Sequence, residues 1–493
     1  MKKTILLLMV LLISFLAYIN CEPRAAVAST PWTIRQMTKN DVEDTLGTWQ
    51  SISGDGSRIV FDRRPPPIWG PEGYGVNWDV FTMNVTDEAG QEKQMTSAYG
   101  EDVGAGISFD GSTIAFASGR FHVGEPWDLE IFAMNFTDSP GQEVQISDDT
   151  TYLDGSVSIS GDGKTVAWHT GPDTPLKHAE YITIANISDK SHIAYTIIDT
   201  PEWDSDPTLS LDGTKVCFRQ FTDQINLGVF IANTDGTGIT RIPGALGQGV
   251  ISGDGSKVAV LYNDGDWEFS VYDTASGNLI FATNNDVDDW FGSINCHGNI
   301  VAYTRDGEIY TYDLQTMQET RLTNDACEDW YPRLDEDGDT IAFVSIGRDG
   351  PDSEIFVLRR NPIEAVIDID PDSLNLRSKG NWITCFVELP GGHDVADIDV
   401  STMMLNGTVP AELSPTAIGD YNSDDTPDLM VKFDRATVVE YILDNVPVEG
   451  RFMTVTLTIT GKLYDGTPFQ GSDTIRIISL TPRYGRFLQV FEN

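Results

Sequence analysis

Five aspartates recur at one fixed position of the sequence, where their spacing suggests a shared site. Each lies eight residues before the third residue of a Ser-x-Asp-Gly-like phrase; they are Asp102, Asp154, Asp204, Asp289 and Asp329. Trp203, Trp290 and Trp330 stand beside three of them, and Asp288 and Glu328 add further carboxylates. Carboxylates beside indole rings suit a cation, a basic peptide or a sugar. The alternative is structural, because a buried carboxylate also accepts hydrogen bonds that hold a fold together.

A second candidate site lies near the C-terminus. Asp420, Asn422, Asp424 and Asp428 occupy positions 1, 3, 5 and 9 of a loop, and oxygen ligands at this spacing suit calcium. The loop resembles the calcium loops of dockerin and EF-hand proteins. It departs from them where Asp425 replaces the turn glycine and where Val431 replaces the last carboxylate. A structural calcium ion and a solvated acidic turn are therefore both open interpretations.

The phrase that follows each aspartate predicts the elements that position it. Ser-Gly-Asp-Gly-Ser-Arg-Ile-Val-Phe is one copy, and each copy joins an Asp-Gly turn signal to an alternating apolar run. Each phrase therefore predicts a hairpin between two strands. The seven anchors lie 40 to 55 residues apart, at Asp55, Asp110, Asp162, Asp212, Asp254, His297 and Asp337.

A repeat of this length made of strands predicts the blades of a β-propeller. Six repeats continue with a third and a fourth strand, whereas the seventh has no fourth strand. Residues 34–38 form a strand pattern ahead of the first anchor, so we expect the N-terminus to complete the last blade and close the ring. The sequence thus predicts seven blades, with six as the alternative because His297 replaces aspartate at the sixth anchor.

The repeat resembles that of TolB-type β-propellers over residues 32–360. The resemblance is carried by Ser-x-Asp-Gly-x-x-Ile-Ala-Phe, a following Glu-Ile-Phe and a closing Arg-Leu-Thr. TolB itself is a periplasmic partner-binding protein with an extra N-terminal domain, for which this chain has no room. The resemblance implies a fold, whereas propellers as a class serve both binding and many enzyme chemistries.

The repeat ends near residue 361, and residues 362–493 show a different β pattern. Short strand patterns at 365–369, 382–389, 399–405, 429–433, 454–460 and 474–478, with one helical stretch at 436–443, predict a β-sandwich-like domain. This segment resembles β modules appended to exported archaeal and bacterial proteins, which implies a surface location. The predicted organisation is a signal peptide at 1–28, a propeller at 29–361 and this second domain at 362–493.

The leader and the charge indicate an exported protein. Met-Lys-Lys precedes an apolar run of signal-peptide length, and Ala26-Val27-Ala28 is a small-x-small cleavage site. A lipidated Cys21 is the alternative for the leader. The predicted location is periplasmic, cell-surface or extracellular, without a transmembrane segment. The net charge of −43 disfavours nucleic acid as a partner and would attract cations or basic polypeptides. The alternative interpretation of this charge is an acidic exported protein adapted to salt or divalent ions.

The sequence contains no motif that defines an enzyme. No Gly-x-Ser-x-Gly, His-Glu-x-x-His, phosphate-loop or dinucleotide fingerprint occurs, and the six histidines are scattered. Cys296 and Cys327 belong to adjacent repeats, which leaves a disulfide open. The sequence therefore predicts a non-catalytic propeller that acts as a binding or scaffold module. Its predicted partner is either a protein or peptide, which the acidic charge would favour as a basic one, or a glycan. The alternative is an exported, lyase-like propeller enzyme acting on glycans.

Overall fold

The computed structural model describes residues 31–64, 68–70, 73–75, 78–98, 100–119, 129–148, 152–172, 180–189, 193–222, 225–263, 265–348, 350–447 and 451–479. The predicted signal peptide at 1–28 and Cys21 lie outside these ranges. The chain divides into two compact units, one ending at Arg359 and the other beginning at Arg360. Within the described ranges, no helix has the length and apolar character needed to cross a membrane.

The repeated phrase folds as a hairpin in every repeat. The glycine after each anchor has a φ between 61 and 77°, the left-handed region that a side chain disfavours. The anchor aspartate holds the turn, as where Asp110 accepts hydrogen bonds from Ser108 Oγ (2.6 Å) and the Ser112 amide (2.9 Å). This geometry depends on residues within the phrase, which explains why the sequence predicts it.

The first unit contains seven four-stranded antiparallel sheets, which confirms the seven-bladed propeller and excludes six blades. From the inner to the outer strand, blade 1 consists of Glu43–Thr45, Arg58–Arg64, Asp79–Asn84 and Lys93–Gln94, and blade 2 of Asp102–Ile107, Thr113–Ser118, Glu130–Asn135 and Val144–Gln145. Blade 3 consists of Tyr152–Ile159, Thr165–Pro172, Tyr181–Asn186 and Ala194–Ile198, and blade 4 of Trp203–Leu209, Lys215–Phe221, Asn226–Asn233 and Thr240–Arg241. A small hairpin, Ile68–Gly70 with Gly73–Gly75, is inserted in blade 1.

The remaining blades follow the same order. Blades 5 to 7 consist of Gln248–Ile251, Lys257–Asn263, Trp267–Asp273 and Leu279–Ala282; Asp289–Ile294, Ile300–Arg305, Glu308–Asp313 and Gln318–Arg321; and Glu328–Leu334, Thr340–Ile346, Ser353–Arg360 and Trp32–Gln36. The outer strand of blade 7 is thus the N-terminal strand, as predicted. The Met37 amide extends this pairing by donating to the Ile355 carbonyl at 2.8 Å.

Two features close the ring of blades. Apolar side chains fill the space between neighbouring sheets, as where Val60 of blade 1 packs in one buried cluster with Phe116 of blade 2. At the hairpin end of the channel, hydrogen bonds of 2.8 to 3.0 Å link each blade to the next through Gly54–Phe109, Asp110–Gly161, Gly161–Leu211, Leu211–Gly253, Asp254–Cys296, Asn295–Glu336 and Glu336–Gly54. All but the Asn295 link are between backbone groups. We call this end of the propeller the hairpin face.

The second unit is a nine-stranded sheet that nearly closes on itself around one core, consistent with the predicted sandwich-like domain. Its strands are Ile363–Glu364, Val366–Asp370, Ser373–Asn375, Trp382–Glu388, Ile398–Leu405, Val409–Gly419, Asp428–Asp434, Phe452–Leu463 and Pro468–Ile478. Helix α1, Arg435–Asn445, is capped by Asp434 and inserts Val438 and Ile442 into the core, and a short 3-10 turn spans Val395–Asp397.

The cysteines among the described residues are all free thiols. Cys217 and Cys385 are fully buried in strands. Cys296 and Cys327 are not joined in the structure, so the disulfide that the sequence left open is not formed.

Candidate functional site

The five recurring aspartates lie at the start of the inner strands, where the sequence places them. They are at most 1% exposed, and their side chains sit within the blades. Four of the aspartates accept a hydrogen bond from a side chain on the second strand of their own blade. The donors are Thr170 for Asp154, Gln220 for Asp204, Arg305 for Asp289, and Ser345 for Asp329. These contacts hold the inner strand of the blade to the next strand.

Two of the aspartates form buried ion pairs. Arg305 makes two hydrogen bonds to Asp289, at 2.6 and 2.8 Å, and Arg348 donates to both Asp329 and Asp325. Burial raises the pKa of Asp329 to about 6, although the Arg348 charge opposes that shift. The bidentate contact with Arg348 favours the ionised form of the Asp329 carboxylate.

The same aspartates are connected to the preceding blade. Asn285 donates its side-chain amide to Asp289 at 2.7 Å, and its backbone amide to Glu268 of blade 5 at 2.7 Å. Asn40 makes the equivalent contacts to Asp44 of blade 1 and Glu354 of blade 7. Asp44 therefore serves blade 1 from a position three residues earlier than the repeat predicts. These contacts support the structural alternative, in which the buried carboxylates accept hydrogen bonds that hold the fold together. Most of the contacts described here are made by side chains.

A β-bulge follows these aspartates in five inner strands, where the pairing register shifts. In four of them the residue two positions after the aspartate has a left-handed backbone: Gly104 (φ 65°), Ser156 (53°), Asp206 (53°) and Tyr331 (56°). Only the first is glycine, so three side chains are held in a conformation that L-residues disfavour.

These bulges border a cavity of about 580 Å³ at the end of the channel where the inner strands begin. We call this end the mouth face. The cavity is lined by aromatic rings and by polar groups, among them Trp49, Trp78, Trp290, Tyr331, Asp62, Ser156, Asp206, Gln248 and Arg333. Tyr331 is half exposed. Rings beside a few convergent polar groups are typical of ligand-binding cavities.

The irregular segment between the first two strands of blade 1 fills the channel below the cavity. Gln50 spans it, donating to the Ile159 carbonyl at 2.6 Å and accepting from the Ile159 amide at 2.8 Å. Arg333 is 4% exposed, donates to the Thr48 and Gly292 carbonyls, and lies 4.8 Å from the Trp49 ring centre. Below these residues the channel retains a cavity of only about 80 Å³. A ligand bound at the mouth face could therefore not pass through the channel.

Burial controls the protonation of the groups around this cavity. It raises the pKa of Asp62 to about 7, although the Gly104 and Ala105 amides donate to that carboxylate. Burial also lowers the pKa of Arg333 to about 9. Shifts of this kind are common where proteins bind or transform ligands, although structural networks also produce them.

The predicted binding residues beside the aspartates separate into two groups. Trp290, Trp330, Asp288 and Glu328 share a pocket of about 290 Å³ between blades 6 and 7, which Asp306 also lines. Trp203 lies apart in blade 4, with its ring 5.1 Å from that of Phe221. The structure therefore brings four of the five together and adds one carboxylate that the repeat did not indicate.

The predicted calcium loop folds as a tight turn over its own carboxylates. Asp420 accepts hydrogen bonds from the amides of Asp424 and Asp425, both at 3.1 Å, and Asp428 accepts from the Tyr421 amide at 2.8 Å. Asp425 has a φ of 72°, so it adopts the conformation of the glycine it replaces. No group of three or more His, Cys, Asp or Glu side chains in the described ranges is placed to hold a metal ion. Calcium binding by Asp420, Asn422, Asp424 and Asp428 stays a prediction.

Several residues of the mouth face were not predicted from the sequence. Ser156, Asp206 and Tyr331 share a repeat position, two residues after the aspartates. This shared position is the sequence feature from which they could have been predicted. Its residue types differ between blades, which hides it from a search for repeated letters. Asp62 and Arg333 also line the cavity, from the strands Arg58–Arg64 and Glu328–Leu334. The sequence pattern of these strands does not distinguish the two residues from their neighbours.

Comparison with known proteins identifies the fold. No family model and no curated protein match the chain. An oligogalacturonate lyase from Vibrio parahaemolyticus matches at 13% identity over 68% of this chain and 98% of that one, with a TM-score of 0.50. An oligogalacturonate lyase in complex with manganese matches at 14% identity over 69% and 97%, with a TM-score of 0.51. TolB from Acinetobacter baumannii matches at 15% identity over 62% and 64%, with a TM-score of 0.37.

Likeness at these identities concerns fold and leaves activity open. The chain contains a seven-bladed β-propeller, similar in fold to the two oligogalacturonate lyases, followed by a second, nearly closed β unit.

Proposed function

We propose that this protein is an exported, non-catalytic binding module whose mouth face contacts a partner protein. The observation that carries the proposal is the set of left-handed bulge residues, Ser156, Asp206 and Tyr331, at the rim of the 580 Å³ cavity. Backbone strain at non-glycine residues concentrates at functional sites, because packing alone would select glycine there. Gly104, at the same position of blade 2, shows the unstrained solution.

Export is the second part of the proposal. The basic and apolar leader and the small-x-small site at residues 26–28 support it. The net charge of −43 supports a partner other than nucleic acid and attracts basic proteins at long range. The location follows as periplasmic, cell-surface or extracellular.

Partner capture with matched variants tests the proposal. The tagged protein is expressed in its source organism, recovered from the envelope, and its co-purifying proteins are identified. In the variant Tyr331→Gly, we expect a partner recovered with the unaltered protein to be lost, whereas the fold is retained because glycine relieves the left-handed strain. Lys164→Ala on the hairpin face, where Lys164 is 58% exposed, serves as the control and should capture normally. Equal capture by both variants would refute a role for the mouth face.

A glycan-acting enzyme is the second candidate, and one observation favours it. Two of the similar structures are oligogalacturonate lyases, and the mouth cavity combines aromatic rings with Asp62 and Asp206. The described residues form no cluster of His, Cys, Asp or Glu suited to a metal such as manganese. Incubation with oligogalacturonate and detection of the unsaturated product by its absorbance decides between the two. Product formation that is lost in Asp206→Asn would replace the binding proposal with this one.

A further inference from the structure

The pocket between blades 6 and 7 contains three carboxylates without a neutralising side chain. No described Lys, Arg or His forms a salt bridge with Asp288, Asp306 or Glu328. Asp288 accepts one hydrogen bond, from the Trp267 amide at 2.9 Å. The residues lining the pocket include no basic side chain. Like charges placed together repel, so this arrangement favours the entry of a cation.

The neighbouring carboxylates in the chain are arranged differently. Asp289 and Asp329, each one residue further along, have arginine partners at 2.6 and 2.5 Å. Glu328 and Asp329 are consecutive residues of one strand, and Asp288 directly precedes the strand that begins at Asp289. Consecutive residues of an extended chain point to opposite sides, so one member of each pair is buried in the blade and the other lines the pocket. The local arginines, Arg305 and Arg348, thus neutralise only the buried members of the two pairs.

The aromatic walls of the pocket provide an independent indication of the ligand. The rings of Trp290 and Trp330 meet edge to face at 6.5 Å with an interplanar angle of 73°, and so form two walls of a corner. Trp267 packs against Trp290 at 4.8 Å, which holds that ring in place. The face of an indole carries negative charge density and attracts ammonium and guanidinium groups.

We propose that this pocket binds a basic side chain of the partner, a protonated lysine or arginine, in the corner that the two indole rings form. Asp288, Asp306 and Glu328 balance its charge. This inference rests on the proposed function, because it assigns one contact within the mouth face. The charge of −43 on the whole chain guides a basic partner towards it and also makes association sensitive to salt.

Ligand-observed NMR on the full chain tests the inference without requiring the partner. The probes are Nα-acetyl-lysine methylamide, its arginine counterpart and the uncharged Nε-acetylated lysine analogue. We expect saturable binding of the charged probes only, weakening as salt is raised. In Trp330→Ala the affinity should fall about tenfold, which is about 1.4 kcal/mol, because the variant loses the cation–π contact with one of the two indole rings.

The double variant Asp288→Asn with Glu328→Gln provides a test that leaves packing intact. It should weaken binding by about three- to tenfold. The matched control, Glu336→Gln with Asp337→Asn, removes the same charge from the hairpin face and should bind as the unaltered protein does. Absence of saturable binding, equal binding of the acetylated probe, or equal affinity of the two double variants would each overturn the inference.

The outcomes also separate this inference from the proposed function. If Tyr331→Gly abolishes partner capture while the lysine and arginine probes fail to bind, the mouth face binds a partner by other contacts and only the pocket assignment falls. If the probes bind as expected while Tyr331→Gly captures normally, the pocket assignment stands and the proposed function falls.

Discussion

The two faces of the propeller are built from the same strands but follow different rules. On the hairpin face, five of the seven turns repeat one arrangement, in which an anchor aspartate accepts from the serine two residues before it and from the amide two residues after it. On the mouth face, the equivalent position of each bulge carries a different residue, such as Gly104, Ser156, Asp206 and Tyr331.

The difference shows that packing constrains the residues of the hairpin face more than those of the bulges on the mouth face. Gly54, Gly161 and Gly253 lie where a Cβ atom would be 2.3 to 2.9 Å from atoms of the adjacent blade, so the hairpin face is closed by packing and backbone hydrogen bonds. At Gly104 a Cβ atom would meet nothing within 4 Å. The bulge position on the mouth face can therefore change its side chain while the blades remain joined, and this freedom suits partner recognition.

Deletion of residues 31–40 should have the largest effect, because it tests whether the hairpin face alone can hold the ring. The deletion removes the outer strand of blade 7 and the hydrogen bonds of Thr38 with Glu354 and the Ile355 amide, and exposes a sheet edge. We expect cooperative thermal unfolding of the propeller to be lost, as measured by calorimetry. A deletion variant that melts like the full chain would show that the hydrogen bonds of the hairpin face are sufficient for closure.

Asp329→Ala should have the next largest effect and distinguishes the inside of a blade from its surface. The change breaks the buried Asp329–Arg348 pair and leaves the 4% exposed Arg348 with Asp325 alone; breaking a buried ion pair typically destabilises a protein by about 3 to 5 kcal/mol. Glu328→Gln, one residue earlier, should stay within about 0.5 kcal/mol. Chemical denaturation of both variants measures the free energies of unfolding. Similar values for the two would contradict the division between buried and pocket-facing carboxylates.

A pair of glycine substitutions compares the faces directly. In Gly54→Ala the new methyl group would lie 2.3 Å from the Phe109 ring, and such overpacking destabilises by about 1 to 3 kcal/mol. In Gly104→Ala the space is open and only the left-handed backbone opposes the change, by about 1 kcal/mol. Unfolding free energies in the reverse order would show that the mouth face is the more tightly packed one.

The pH dependence of stability should differ between the faces in sign. Burial raises the pKa of Asp62 to about 7, above its unfolded value, so its contribution to stability falls as pH rises from about 4 to 7. At Asp110 burial alone would raise the pKa, but hydrogen bonds from Ser108 and Ser112 bring it below its usual value. That contribution is present above the unfolded pKa and is lost as pH falls through the folded value.

Melting temperatures recorded at intervals from pH 3 to pH 8 test this contrast. Asp62→Asn should flatten the decline between pH 4 and 7, whereas Asp110→Asn should flatten the loss at acid pH. Identical profiles for the two variants would remove the electrostatic difference between the faces.

Calcium should produce the smallest effect, confined to the second unit. If Asp420, Asn422, Asp424 and Asp428 bind the ion in the native state, the melting temperature of that unit rises with calcium by mass action. Calorimetry of the full chain in calcium or in chelator measures the shift, and Asp424→Ala should abolish it. A melt unaffected by calcium would leave the loop as a solvated acidic turn.

Local sequence signals determined much of this architecture. The Asp-Gly turns, the apolar alternation behind them and the unmatched N-terminal strand predict seven blades and their closure, because each signal acts within a few residues. The Trp382–Glu388 strand of the second unit was equally readable from its alternation. Val409–Gly419 was not, since Pro410 and Pro415 interrupt a largely exposed strand whose pairing depends on distant neighbours.

Only the tertiary structure decided what the aspartates and tryptophans contact. The repeat spacing placed Asp289 and Asp329 at the start of the inner strands, but their arginine partners lie 16 and 19 residues away on the next strand or beyond it. Likewise Asp306 reaches the pocket of Trp290 and Trp330 through the packing of two blades. Turn geometry follows from neighbours in the chain, whereas burial, ion pairing and the lining of a cavity arise from residues that meet only when the ring has closed.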